Sequence, residues 1–328
     1  WTQYHNFAET SELLESFAKE YKDLTKLYSI GKSVQGKDLW CLEITNHSSG
    51  APETKPGMYI DGNTHAGEVS GAETSLYIIH HLLTQYGKDE LVTELVDTRV
   101  FYIVPKINPD GSEEYLRDPR QPPDPNLKKF DDDEDGLEDE DGPDDLNQDG
   151  LITTMRIRDE KGSYKTSPID SRLMVERGIN EKGEWRLIGP EGLDNDGDGE
   201  LNEDPPGHRI TVTNRNYPAF WGPAWIQGGN RPGGNYPLFE PEAKAQVDFI
   251  LAHPNIAGIQ SFHTHSGVML RPYCNRGDEY IPPEDMRNYT LVSALGFEIT
   301  GYPELSVYND FTRDKSNPRR GVFVDWAY

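Results

Sequence analysis

The chain is short of apolar residues, of cysteine and of positive charge. Of its 328 residues 34% are hydrophobic and two are cysteine, and 32 basic residues against 57 acidic ones give a net charge of -25. Nucleic-acid binding is disfavoured, because phosphate contacts need clustered Lys and Arg. Membrane insertion is also disfavoured, since no apolar run approaches the roughly 20 residues of a membrane span. Cys41 and Cys274 make no disulfide framework, and either two buried thiols or one disulfide would fit them.

The acidic residues are unevenly distributed. They concentrate at 131–149 and 191–204, whereas the rest of the chain has ordinary apolar runs and many aromatic residues. A uniformly disordered acidic chain would lack such runs. The sequence therefore predicts a folded core with acidic inserts.

Segments of strand and helix character alternate along the chain. Apolar residues at three- and four-residue spacing predict a helix over 9–28, and further helices end at Leu83 or cover 240–252 and 283–295. Short apolar runs predict strands at 38–45, 57–61, 99–105, 257–264, 268–273 and 297–302. The alternation predicts an α/β fold, with one domain built on a mixed, largely parallel twisted sheet between helices. A long acidic insertion at 118–207 interrupts this domain.

Two strand ends carry residue types that bind metals. One apolar strand is followed by His65 and Glu68, three residues apart, and another ends in Q-S-F-H-T-H with His263 and His265. Spacing does not choose between the last two, because residues two apart on a strand share a face. Zinc binds imidazole nitrogen and carboxylate oxygen, and catalytic sites use three protein ligands with water in the fourth position. A zinc site is therefore predicted at the carboxyl ends of the strands, where such sheets bind ligands.

Five motifs occur in the order found in one enzyme family. H-A-G-E after an apolar strand, N-P-D-G, N-R-N, S-x-H at a strand end and D-W-x-Y resemble the M14 family of zinc carboxypeptidases. The opening stretch at 30–38 is also similar to the start of that domain. The resemblance runs from Tyr4 to the last residue, apart from the acidic insertion. It implies the carboxypeptidase fold, a bound Zn²⁺, and hydrolysis of the C-terminal residue of peptides by a zinc-activated water.

The resemblance implies ligand and substrate-binding roles for five residues. His65, Glu68 and His263 match the zinc ligands, with His263 chosen because it aligns with S-x-H. Asn214 and Arg215 match the pair that grips the terminal carboxylate of the substrate. A guanidinium fork suits that role, because it binds a carboxylate through two hydrogen bonds.

Three more positions are matched to roles near the scissile bond. Arg156 is matched to the arginine that polarises the scissile carbonyl and stabilises its oxyanion. Because the acidic insertion falls nearby, three other arginines compete for this role: Arg117, Arg120 and Arg158. Tyr308 resembles the mobile tyrosine that closes over bound substrate. Val324 matches the base of the specificity pocket, where an apolar residue favours apolar or aromatic C-terminal residues.

The general base of the family is a glutamate shortly after D-W-x-Y, and its position would lie beyond Tyr328. Without a positioned acceptor, proton transfer from a zinc-bound water slows by about a hundredfold or more. The domain is therefore expected to be C-terminally incomplete, rather than a natural inactive protein.

Alternating oxygen-bearing side chains followed by glycine occur three times in the acidic segments. D-x-[DN]-x-D-G is the start of a calcium loop of the EF-hand type, in which glycine allows the sharp turn. The twelfth position is glutamate in none of the three, so shorter calcium loops are predicted, against the alternative of solvated acidic loops. The candidate Ca²⁺ ligands are Asp131, Asp133, Asp135, Asp145, Asn147, Asp149, Asp194, Asp196 and Asp198. High calcium is an extracellular condition, so a secreted or periplasmic location is expected.

Functions of other classes compete with the peptidase. A non-catalytic zinc- or peptide-binding module would need no general base, and a calcium-dependent extracellular structural protein would use only the acidic loops. Cleavage of cell-wall peptides is a close enzymatic alternative. The three predicted zinc ligands and the pair Asn214 and Arg215 favour the peptidase, because an adhesion protein needs neither a zinc site nor a carboxylate-binding pair.

Overall fold

The computed structural model describes residues 3–116, 141–202, 213–222 and 233–328. The chain divides into two compact units. The larger comprises Trp1–Leu127 and Arg209–Tyr328, and the smaller comprises Lys128–His208. Among the described residues, no helix is long and apolar enough to cross a membrane.

The larger unit alternates strands and helices. In chain order its elements are α1 (Phe7–Glu20), β1 (Thr25–Lys32), β2 (Asp38–Ile44), β3 (Gly57–Gly62), α2 (Val69–Gln85), α3 (Glu90–Thr98), β4 (Val100–Val104) and α4 (Pro109–Leu116). After the smaller unit come α5 (Pro241–Ala252), β9 (Ile256–Phe262), β10 (Met269–Arg271), α6 (Pro283–Thr300), β11 (Glu304–Ser306) and α7 (Phe323–Ala327). The smaller unit contains β5 (Thr154–Arg158), β6 (Tyr164–Thr166), β7 (Met174–Glu176) and β8 (Trp185–Pro190), which form an antiparallel sheet in the order β5-β8-β6-β7.

A five-stranded mixed sheet is the centre of the larger unit. Its strand order is β1-β2-β4-β3-β9. The pairs β1/β2 and β2/β4 are antiparallel, and the pairs β4/β3 and β3/β9 are parallel. The predicted α/β class with a mixed sheet between helices is confirmed, and the parallel strands are those that lead to the candidate metal residues.

Side chains alternate between the two faces of this sheet. One face carries Leu42, Ile60 and Ile103, which pack with buried residues of α1, α2 and α3. The opposite face carries Tyr59 and Tyr102, which pack with buried residues of α5. Full burial of one such side chain contributes about 1.5–3 kcal/mol. Cys41 and Cys274 are buried free thiols.

Two predicted elements are wrong. The helix predicted over 9–28 ends at Glu20, and its last residues belong to β1, because pairing of 25–32 with β2 overrides the helical spacing. Residues 297–302, predicted as a strand from a short apolar run, instead continue α6 as far as Thr300. That helix stops at Gly301, whose φ of 74° is the left-handed cap that glycine adopts most readily.

Two glycines allow β3, α2 and β9 to converge. A Cβ atom on Gly62 would lie 2.4 Å from the carbonyl oxygen of Gly71, and a Cβ on Gly71 would lie 2.6 Å from that of Phe262. No side chain fits at these distances, so the three backbones make direct contact. The candidate metal residues lie between the two glycines and immediately after Phe262.

Gly71→Ala is expected to destabilise the protein. In an ordinary helix this change stabilises by about 1 kcal/mol. Here the added methyl group overlaps the carbonyl of Phe262, and overpacking of this kind typically costs about 1–3 kcal/mol. Chemical denaturation of the variant beside Ser70→Ala, on the same turn of α2, tests this. A Gly71→Ala protein more stable than the control would contradict the close contact.

Candidate metal centre and substrate site

The loop between β3 and α2 positions His65. It turns at Asn63, which has a left-handed φ of 57°. The side-chain amide of Asn63 donates to the carbonyl oxygens of His65, at 2.8 Å, and Ala66, at 3.1 Å. Asn63 is fully buried. Its two hydrogen bonds therefore fix the backbone of the loop at His65, which carries the imidazole.

Glu68 stands at the start of α2 without capping it. Its side chain makes no capping hydrogen bond. Instead the carboxylate accepts from His65 Nδ1 at 3.1 Å and from His263 Nδ1 at 2.7 Å. His263 directly follows β9, the strand that pairs with β3, so the two strand ends bring both histidines to one carboxylate.

The donor atoms of these three residues fit a zinc ion. His65, Glu68 and His263 each offer one ligand atom, and these atoms all lie within 4.8 Å of one another. The two Nδ1 atoms are 3.2 Å apart. Zinc bonds of about 2.0–2.1 Å place tetrahedral donors roughly 3.4 Å apart. Nitrogen and carboxylate oxygen are also the donor types that zinc prefers, so both the chemistry and the spacing suit this metal.

His265 lies outside this group of three. It is exposed, and both His265 and Ser266 have left-handed φ values, of 76° and 68°. The alternation of a strand therefore ends at Phe262, and His263 and His265 do not share a face. The two-residue spacing alone does not reveal this turn, so it could not choose between His263 and His265.

The electrostatic environment keeps Glu68 ionised. Burial raises the pKa of its carboxyl, but hydrogen bonds from His263 and His65 and their charges outweigh burial and hold the pKa well below its ordinary value. A metal ligand must be deprotonated. The carboxylate is therefore already in its binding form at neutral pH.

The predicted carboxylate-binding residues lie in a buried 3₁₀ turn, Thr213–Arg215. Asn214 and Arg215 are 6% and 5% exposed. The Asn214 side-chain oxygen accepts from the backbone N–H of Phe323 at 2.9 Å, and the Arg215 guanidinium donates to the carbonyl of Asn214. A Cβ on Gly321 would meet the Arg215 carbonyl at 2.1 Å, so this turn packs directly on the backbone before α7.

Val324 and Tyr308 adjoin the same segment. Val324 follows Phe323 and packs against buried Cys274, Val307 and Val322. Tyr308 follows Val307, and its backbone N–H donates to the carbonyl of Tyr273 at 3.0 Å. The structure thus brings Asn214, Val324 and Tyr308 to neighbouring positions in the larger unit, and their substrate roles stay predictions.

Arg156 lies on β5 of the smaller unit. Its guanidinium is 4.2 Å from the ring centre of Trp185 and donates to the carbonyl of Ser171 at 3.0 Å. Arg158 contacts the same ring at 4.4 Å. Arg117 and Arg120 lie outside the described residues. The choice among the four arginines stays a prediction.

Two of the three predicted calcium loops fall within the described residues, and they fold alike. In one, the backbone N–H groups of Asp149 and Gly150 donate to the Asp145 carboxylate. In the other, those of Gly197 and Gly199 donate to the Asp194 carboxylate. The carboxylates of Asp194, Asp196 and Asp198 converge within 4.8 Å and are exposed. The third loop, with Asp131, Asp133 and Asp135, lies outside the described residues.

Sequence reasoning missed a buried carboxylate beside the centre. Asp61 on β3 is fully buried and accepts from Ser261 Oγ at 2.6 Å and from Gln246 Nε2 at 2.7 Å. Burial raises the pKa of Asp61 to about 7, against the lowering effect of these hydrogen bonds. An acidic residue inside an apolar strand is a usable signal, because buried carboxylates need partners. Its partner Gln246, 185 residues away, gives no signal of its own.

Known proteins share both sequence and fold with this chain. The sequence profile of the zinc carboxypeptidase family matches residues 10–132 and 210–328. Carboxypeptidase D of Drosophila melanogaster is 42% identical over 115 residues, which are 34% of this chain and 8% of that protein. Carboxypeptidase M of Mus musculus is 39% identical over 115 residues, or 34% and 25% of the two chains. The matched part is thus a quarter or less of each relative.

The fold resembles that of a solved carboxypeptidase. The crystal structure of carboxypeptidase A from Helicoverpa armigera superposes with a TM-score of 0.63 and 17% sequence identity. The match covers 99% of this chain and 61% of that one. At this identity the likeness shows the fold alone.

Zinc binding is expected to depend on His65, Glu68 and His263. The purified protein should hold about one zinc per chain. His263→Ala should weaken zinc binding by at least about 100-fold, because changes in outer-shell partners already cost roughly 10- to 100-fold. His265→Ala is the matched control and should bind zinc as the unaltered protein does. Chelator competition measures all three proteins, and the reverse order of affinities would place the ligand at His265.

Proposed function

The chain belongs to the zinc carboxypeptidase family, and on that premise we propose that it is a zinc-dependent metallopeptidase that removes the C-terminal residue of peptides. The observation that carries the proposal is the convergence of His65, Glu68 and His263 at the ends of two adjacent parallel strands. These three residues would be the zinc ligands. A zinc ion held there supplies a water of lowered pKa and polarises a carbonyl oxygen.

Arg215 and Asn214 would hold the terminal carboxylate of the substrate. Arg215 is buried, so an ion pair with a carboxylate there is screened little by water. The turn is anchored to the backbone before α7, so the guanidinium needs little reordering when substrate binds. This rigidity supports an exopeptidase, because recognition of a free C-terminus selects the last residue of a peptide.

The remaining roles concern the residue that is removed and the bond that is cleaved. Val324 packs among Cys274, Val307 and Val322, and an apolar surface of this kind favours apolar or aromatic C-terminal residues. Tyr308 would close over the bound peptide. An arginine would stabilise the oxyanion that develops at the scissile carbonyl, and Arg156 stays the sequence-based candidate for it. Cell-wall peptides with a free carboxyl end remain a substrate class for the same site.

We also propose that the loops at Asp145 and Asp194 bind calcium in a structural role. Three exposed carboxylates within 4.8 Å repel one another unless a cation neutralises them. The glycine N–H groups already hold the first aspartate of each loop in place. Calcium at these loops would suit a secreted or periplasmic protein.

A pair of peptides tests the peptidase. The zinc-loaded protein is incubated with a blocked peptide that ends in phenylalanine, either as the free acid or as the amide, and released phenylalanine is measured by mass spectrometry. The free acid should be cleaved and the amide spared, with a rate about a hundredfold lower or less if the chain assayed ends before the general base. Arg215→Ala should lower kcat/KM by about 10- to 150-fold, the loss of a charge-assisted hydrogen bond. Arg172→Ala, with a side chain 87% exposed in the smaller unit, should cleave normally.

Other results separate the competing functions. Zinc-dependent binding of the free acid without release of phenylalanine, by a chain that continues past Tyr328 to the position of the general base, would instead support the non-catalytic binding module. Equal treatment of free acid and amide would contradict the carboxylate role of Arg215. A protein that binds neither zinc nor peptide but does bind calcium would be the structural protein.

Calcium binding is expected to be independent of the zinc residues. Calorimetric titration should detect calcium binding that Asp194→Asn and Asp196→Asn weaken, because each removes a charged ligand. Glu160→Gln, outside the loops, is the control, and His65→Ala should leave calcium binding intact. No heat at millimolar calcium would identify the segments as solvated acidic loops.

A further inference from the structure

A line of buried hydrogen bonds joins the carboxylate-binding turn to both histidine-bearing strand ends. Tyr217 donates through its hydroxyl to the side-chain oxygen of Gln246. The Gln246 amide nitrogen donates to one oxygen of Asp61, at 2.7 Å, and the hydroxyl of Ser261 donates to the other, at 2.6 Å. Tyr217, Gln246 and Asp61 are all fully buried.

Each end of this line lies beside a residue of the proposed site. Tyr217 follows Arg215 by two residues, and Ser261 precedes His263 by two. Asp61 lies on β3, four residues before the first histidine of the metal centre. The four side chains therefore connect β3, β9, α5 and the segment that carries Arg215. Within the described parts of the chain, no backbone hydrogen bond joins that segment to either strand end.

We propose that Tyr217, Gln246, Asp61 and Ser261 form a positioning network that sets the distance between the metal centre and the carboxylate-binding arginine. This inference rests on the proposed function. The network would match the spacing of the metal centre and Arg215 to the C-terminal residue of a peptide. A C-terminal residue must present its carboxylate to Arg215 and its carbonyl to the metal at once. A shift of about 1 Å between two such groups costs up to a hundredfold in rate.

The composition of α5 supports this role. Most of its buried residues are small or apolar, including Ala243, Val247 and Phe249, and the polar exceptions are Gln246 and Glu242. Replacement of all the bonded partners by apolar groups of the same shape would cost the fold little, so stability alone does not require the polar set. A hydrogen-bonded amide also fixes the relative orientation of its two partners, because its oxygen accepts from one and its nitrogen donates to the other. Here those partners are Tyr217 and Asp61.

Removal of one hydroxyl at each end tests the network. Ser261→Ala should lower zinc affinity by about 3- to 10-fold, the size of one ordinary hydrogen bond. Tyr217→Phe keeps the buried ring, so it should keep zinc affinity and lower the affinity of the zinc-loaded protein for the free-acid peptide by a similar factor. Chelator competition measures the first effect and calorimetry the second.

Two matched controls separate positioning from stability. Tyr102 is as buried as Tyr217, Ser75 is more buried than the partly exposed Ser261, and the hydroxyls of both controls lie outside the network. Ser75→Ala and Tyr102→Phe should lower the unfolding temperature as much as the test variants, with zinc and peptide affinities unchanged. Ser261→Thr, which restores a hydroxyl, should recover zinc affinity.

The possible results distinguish a failure of the network from a failure of the proposed function. Zinc and peptide affinities within twofold of the unaltered protein in both test variants would show that the bonds are only structural, and would overturn the network. If the unaltered protein binds zinc but no peptide, the carboxypeptidase proposal fails. The zinc measurement still decides the network, because equal zinc affinity in Ser261→Ala and Ser75→Ala would overturn it.

Discussion

The site depends on direct backbone contact between the ends of β3 and β9 and the start of α2. Gly62 and Gly71 make this contact, because any side chain at either position would overlap a carbonyl oxygen. Parallel pairing of β3 with β9 brings both strand ends to one edge of the sheet. Three polar side chains can then meet at the edge of an apolar sheet. The candidate metal centre therefore depends on the path of the backbone as much as on His65, Glu68 and His263.

Buried polar groups surround this contact and limit its movement. Asn63 ties the loop that carries His65, and Asp61 joins β3 to β9 and α5 through its two oxygens. A buried polar group without a partner destabilises the fold, whereas a fully hydrogen-bonded network makes the surrounding structure rigid. The same principle holds in the turn of Asn214, whose side chain fixes the backbone before α7. The proposed chemistry uses this rigidity, because one peptide end must meet two distant groups at once.

Residue types and strand ends predicted the fold class and a metal site at the carboxyl ends of two strands, because ligands in such sheets follow apolar strands. Local patterns left the choice between His263 and His265 open, and the family resemblance supplied it. They failed where a distant partner decides, as in β1, whose pairing with β2 overrides helical spacing. They also gave no sign of the left-handed turn at His265 that ends the strand alternation, or of the role of Gln246, whose partners lie far away in sequence.

Anomalous diffraction at the zinc absorption edge, from crystals of the purified protein, tests the central claim most directly. The account predicts one strong peak about 2.0–2.2 Å from the ligand atoms of His65, Glu68 and His263. A peak at His265, at the acidic loops alone, or none in zinc-containing crystals would contradict it.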